Sequence, residues 1–116
     1  METSVDDALG MVSKWLNEST PLVLTVATSA VFFSLAGSII SIGSNSFVVG
    51  FRDSEQKVSS HATVKLEDME SIAYHESREI PPQLRDAIGD KVNAVMSMRY
   101  MGKQGHCCIY ELTRPL

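Results

Sequence analysis

The sequence predicts an α+β fold: one N-terminal amphipathic helix packed on a strongly curved antiparallel sheet or a small β-barrel. Three observations predict it. Apolar residues recur with helical spacing only over the first 17 positions. From Pro21 onward the pattern changes to short β-rich runs separated by turn residues. Glycines also stand inside those runs, at Gly37 and Gly50, where bends and bulges are the usual reason for them.

A chain of 116 residues supports one hydrophobic core and is too short for two, so 1–116 reads as a single domain. Its parts are a helix over about 4–17, a β-rich stretch over 21–74, a short helical connector over 81–88 and a C-terminal hairpin over 91–113. Ten basic residues against fourteen acidic ones give a net charge of -4, and affinity for a phosphate backbone rests on excess positive charge. Nucleic acid is therefore not an expected partner. The two cysteines, Cys107 and Cys108, are adjacent and cannot staple distant parts of a fold, which predicts a reducing, cytoplasmic setting. The opening Met1-Glu2-Thr3-Ser4-Val5-Asp6-Asp7 lacks the positive start and apolar run of a secretory signal.

The helix is the clearest element. Ser4 is placed to cap it, and Asp6 and Asp7 fall in the first turn, where the helix dipole favours acids. At 100° per residue Val5, Ala8, Leu9, Met11, Val12, Trp15 and Leu16 fill one arc, with polar residues and Gly10 opposite. That face, including Trp15 and Leu16, is predicted to pack on the domain's own core. Pro21 then ends the helical region, because the residue before a proline avoids the α conformation.

No charged residue occurs between Pro21 and Phe51, a length that raises the question of a membrane span. Serines, threonines and glycines interrupt the run, and its apolar positions are mostly Val, Ile and Phe, which suit strands better than helices. Strands are predicted over Leu22–Ala27, Val31–Ile42 and Phe47–Arg52, and no membrane partner is expected. His61 to Leu66 alternates with Ala62, Val64 and Leu66 on one face, and Met69 to Tyr74 forms a further strand. Pro81-Pro82 seats the first turn of the connector, and Gly89 ends it.

Leu35-Ala36-Gly37-Ser38-Ile39-Ile40 followed by Ser46-Phe47-Val48-Val49-Gly50 resembles the bent second and third strands of Sm-like barrels. The resemblance implies a small SH3-like or Sm-like barrel. The acidic and asparagine residues that such proteins place around bound uridine are lacking here, so RNA binding does not carry over.

The longest alternation runs over Val92 to Tyr100 and returns through His106 to Thr113. A three-residue loop, Lys103-Gln104-Gly105 with Gly105 left-handed, predicts Tyr100 opposite Cys108, Met98 opposite Tyr110 and Met96 opposite Leu112. Cys108 then faces the core. The competing register draws Glu111 inward, which the cost of burying a carboxylate disfavours.

Chemistry-bearing motifs are few. His61, His75, His106 and the cysteines lack zinc spacing, the acids around Glu67–Glu70 lack EF-hand spacing, and no P-loop, GxGxxG or GxSxG is present. No catalytic, metal or cofactor residues are assigned. The expected function is a non-catalytic binding or assembly module, a homo-oligomer or a binder of another protein. It would act through an edge strand or an apolar surface around Val95, Met101 and Ile109. The alternative is a small-molecule binder or small enzyme with an interior pocket at Met96, Met98, Tyr100 and His106.

Overall fold

Ser4 receives the backbone N–H of Asp7 on its hydroxyl at 3.1 Å and starts α1, Val5–Asn17, as the sequence predicts. The computed structural model describes residues 2–80, 82–83, 86, 91–102 and 105–114. Ala8, Val12 and Trp15, spaced four and three apart, are fully enclosed against the sheet. Leu16 is 36% exposed, contrary to expectation. The apolar arc is wider than the strip a helix lying flat on a sheet can bury, and Leu16 falls on its flank.

Among the described residues seven strands follow: β1 (Leu22–Thr28), β2 (Phe32–Ile42), β3 (Ser46–Arg52), β4 (Val58–Lys65), β5 (Met69–Glu76), β6 (Val92–Tyr100) and β7 (Gly105–Leu112). They form one antiparallel sheet in the order β4-β3-β2-β1-β7-β6-β5. The charge-free run from Pro21 to Phe51 is thus three strands. Among the described residues no helix is long and apolar enough to cross a membrane.

The bend lies where the glycines predict it. Residues 32–37 of β2 pair with β1, whereas 38–42 pair with β3, so β2 changes neighbours at Gly37. A Cβ on Gly37 would stand 2.0 Å from the carbonyl oxygen of Gly50, and one on Gly50 would stand 2.8 Å from the Ile40 side chain. Only glycine lets the two strands approach this closely. The sheet does not close into a barrel, however. β4 and β5 are its two edges, and among the described residues no ladder joins them. A short 3₁₀ turn, Leu66–Asp68, links these edges in sequence and is held by Leu66 N–H to the Asn45 carbonyl and by Met101 N–H to the Asp68 carbonyl. The fold is α+β with a strongly bent open sheet.

Beneath α1, one face of the sheet buries Leu22, Leu24, Ile39, Phe47, Val49, Val64, Met96, Met98, Cys107 and Ile109. The other face carries a smaller cluster of Ile80, Val92, Val95 and Leu112.

The terminal hairpin departs from the predicted register and turns Cys107, Ile109 and Glu111 to the core side of β7. Arg99 lies opposite His106, Met98 opposite Cys107, Met96 opposite Ile109 and Ala94 opposite Glu111. The strands end at Tyr100 and resume at Gly105, so four residues connect them in place of the predicted Lys103-Gln104-Gly105 loop, and the left-handed glycine is Gly102 (φ +63) while Gly105 begins β7. Because side chains alternate, this shift exchanges the two faces of β7. Cys107 is enclosed and Cys108 half-buried on the opposite face. The cost that argued against this register is relieved by a partner, since the Trp15 indole donates a hydrogen bond to the Glu111 carboxylate. The connector predicted over 81–88 lies largely outside the described residues, as do Lys103 and Gln104 of the hairpin loop.

Candidate interaction edge

The bend that moves β2 from one neighbour to the next leaves its first half with a strand on one side only. Over Phe32–Ala36, β2 pairs with β1, and the β3 ladder begins only at Ser38. Which backbone groups remain free follows from the turn. Thr28 N–H donates to the Val31 carbonyl at 2.7 Å, so Thr28 and Val31 are a hydrogen-bonded pair. In an antiparallel ladder such pairs alternate, which assigns Val26–Phe33 and Leu24–Leu35 to the same class. Phe32, Ser34 and Ala36 therefore direct their N–H and C=O groups away from β1, toward the open side.

Large apolar side chains gather along this edge. Phe32 is 74% exposed, Val31 52% and Phe33 38%. Phe51, also exposed, lies at the bend, its backbone nitrogen 3.2 Å from where a Gly37 Cβ would stand. Proteins usually guard an open edge with charges, prolines or bulges. Residues 31–36, Val-Phe-Phe-Ser-Leu-Ala, contain neither a charge nor a proline.

The turn before β2 is well ordered by its own side chain. Thr28 Oγ1 accepts the N–H groups of Ala30 and Val31 at 3.2 and 3.0 Å. This fixes the start of the edge even though its side chains are exposed.

Known protein families, curated proteins and solved structures all fail to match the chain.

The residues expected to form an apolar surface do not come together. Val95 is buried in the outer cluster, Ile109 is fully enclosed in the main core on the opposite face, and Met101 is exposed after β6. The correction follows from the hairpin register, which turns Ile109 inward. The expected pocket is likewise divided. Met96 and Met98 fill the core, with Tyr100 packed at its margin. His106 instead lines an open groove of about 720 Å³ with Ala27, Thr28, Ser29, Glu70 and Arg99. A smaller hollow of about 240 Å³ brings His106 near Met98, Ser97 and Cys108. Both are shallow and of mixed polarity, unlike the enclosed apolar cavities that hold most small ligands.

The thiols differ in environment. Burial pushes Cys107 up to about 12, the neighbouring Cys108 adds to this, and a hydrogen bond with Tyr100 partly opposes it. Burial also raises Cys108, with hydrogen bonds from Tyr110 and Thr25 opposing. A thiol held neutral is a poor nucleophile. Among the described residues no three His, Cys, Asp or Glu side chains converge as metal ligands would.

The edge was missed in the sequence although a signal was present. Two adjacent phenylalanines in one strand must face opposite sides of the sheet, so Phe32 and Phe33 could not both be buried under a single helix.

Proposed function

We propose that the chain is a non-catalytic binding and assembly module that acts by strand addition along the open edge of β2 at Phe32–Ala36. The observation that supports this most is the 74% exposure of Phe32 on a half-strand whose outer backbone groups have no strand beside them. Added strands gain affinity from main-chain hydrogen bonds and specificity from alternate side chains. Phe32, Ser34 and Ala36 offer the first, and the exposed Val31, Phe32 and Phe33 side chains the second.

The interior-pocket alternative has less support, since Met96 and Met98 are packed within the core and the hollow that Met98 shares with His106 is open. A small curved sheet that presents one unguarded edge is suited to holding another chain.

The test is selection of extended peptides on the immobilised chain, with Ser34→Pro as the counter-selection. Proline at 34 removes an outward N–H and leaves the ladder to β1 intact. Peptides rich in β-branched and aromatic residues that lose binding to Ser34→Pro are expected. Selection that returns only peptides indifferent to Ser34→Pro would overturn the reading.

A further inference from the structure

We infer that the occupant of this edge is a second copy of the same chain, paired antiparallel about a two-fold axis through Ser34. The inference rests on the strand-addition reading above and adds the partner and the register. The outward-facing positions are Phe32, Ser34 and Ala36, which are symmetric about Ser34. Antiparallel self-pairing centred there sets Ser34 opposite Ser34, and Phe32 of each copy opposite Ala36 of the other. Every outward N–H and C=O of the three residues then finds a partner, because all three pairs belong to the hydrogen-bonded class.

The side chains suit the same register. Phe32, the most exposed large apolar residue described, meets the small Ala36, so the two strands approach without crowding. Val31 of one copy comes to the bend of the other, where Phe51 is exposed, and covers it. Two large apolar groups that are wet in the monomer are thereby removed from water.

Charge points to a second copy as well. The chain is acidic, with a net charge of -4, and two copies repel wherever their carboxylates face each other. The segment from Pro21 to Phe51 contains no charged residue, so pairing along β2 brings no charge of either strand face to face. A basic partner would gain nothing from an uncharged edge. The remaining edges are less suited, since β4 carries His61 and Lys65 and β5 carries Glu70 and Glu76. Pairing β2 with either would also be heterologous and open-ended, whereas β2 with β2 closes as a dimer. The product is a continuous sheet with seven strands from each copy.

The experiment is light scattering of the full chain across a wide concentration range, on the parent, Ser34→Pro and Phe32→Lys. The parent is expected as a dimer, and each variant as a monomer with the parent's circular dichroism, its dimer dissociation constant raised at least tenfold. Register is read in a Cys108→Ser background with a short bis-maleimide. Ser34→Cys should cross-link to itself and Phe32→Cys to Ala36→Cys in a mixture, while Phe32→Cys alone and Ala36→Cys alone should cross-link poorly. A parent that stays monomeric overturns the second copy as occupant, and Ser34-dependent peptide capture by that monomer would leave strand addition standing. A dimer indifferent to both Ser34→Pro and Phe32→Lys overturns the pairing and places self-association elsewhere. A dimer whose cross-links favour Phe32→Cys with itself overturns the register.

Discussion

Trp15 Nε1 donates a hydrogen bond to Glu111 Oε1, joining the last turns of α1 to β7 across 96 positions of sequence. The indole is fully enclosed and the carboxylate half-buried, so each satisfies a polar group that the other's absence would strand. Glu111→Leu should therefore cost about 2 kcal/mol in urea unfolding, the usual penalty for an orphaned buried donor. Glu111→Gln, which keeps a carbonyl acceptor, should cost under about 1 kcal/mol by the same reasoning. Equal stability of Glu111→Leu and the parent would show that this bond contributes nothing to docking α1.

A second prediction separates the buried strip of α1 from its flank. Val12 is fully enclosed while Leu16 is 36% exposed. Val12→Asp places an unpaired carboxylate in the core and should cost several kcal/mol, on the order of 3 or more. Leu16→Asp leaves the charge in reach of water and should cost about 1 kcal/mol or less. Thermal melts of the two variants decide it, and equal losses would mean that Leu16 is covered in solution.

Periodicity made the elements legible and left their pairing unresolved. α1 and six of the strands lie close to where helical spacing and alternation predict them, β4 starts at Val58 inside a polar stretch that shows no strand pattern, and Gly37 with Gly50 marks the bend. Register was not legible at the last hairpin, because it depends on a loop of three residues or four and one residue inverts both faces. On local grounds the cost of burying Glu111 favours the other face. Trp15, distant in sequence, offsets that cost, and no local pattern reveals such a partner. The interaction edge was hidden for a related reason. Strand order decides which half of β2 lacks a neighbour, and strand order is a property of the whole sheet.

A third prediction concerns the bend. A methyl group at Gly37 would overlap the Gly50 carbonyl oxygen at 2.0 Å, and a backbone atom cannot swing aside as a side chain can. Gly37→Ala should destabilise the fold by about 3 kcal/mol or leave it insoluble, at or beyond the upper end of ordinary overpacking. Gly10→Ala is the control, since a Cβ there meets nothing within 4 Å and alanine favours the helix, so it should be neutral or stabilising. If Gly37→Ala melted with the parent, β2 and β3 would not approach as closely as their glycines allow.

The last prediction uses both cysteines. Cys107 is enclosed and Cys108 half-buried, so a maleimide under native conditions should modify Cys108 first and reach Cys107 only on unfolding. The alkaline limb of stability carries the same information. Burial, then the neighbouring Cys108, lifts the Cys107 thiol from 9.0 to about 12 in the folded chain. Between these values the unfolded chain has released a proton that the folded chain still holds, so stability falls as pH rises through the window and this contribution is fully present below pH 9. One proton corresponds to a slope of about 1.4 kcal/mol per pH unit. Cys107→Ala should remove that component and flatten the decline measured by urea unfolding at successive pH values. The slope should not vanish, because burial also raises Tyr74, Tyr100 and Tyr110, which contribute in the same direction. An unchanged slope, or labelling of Cys107 ahead of Cys108, would require Cys107 to face water and would restore the three-residue loop.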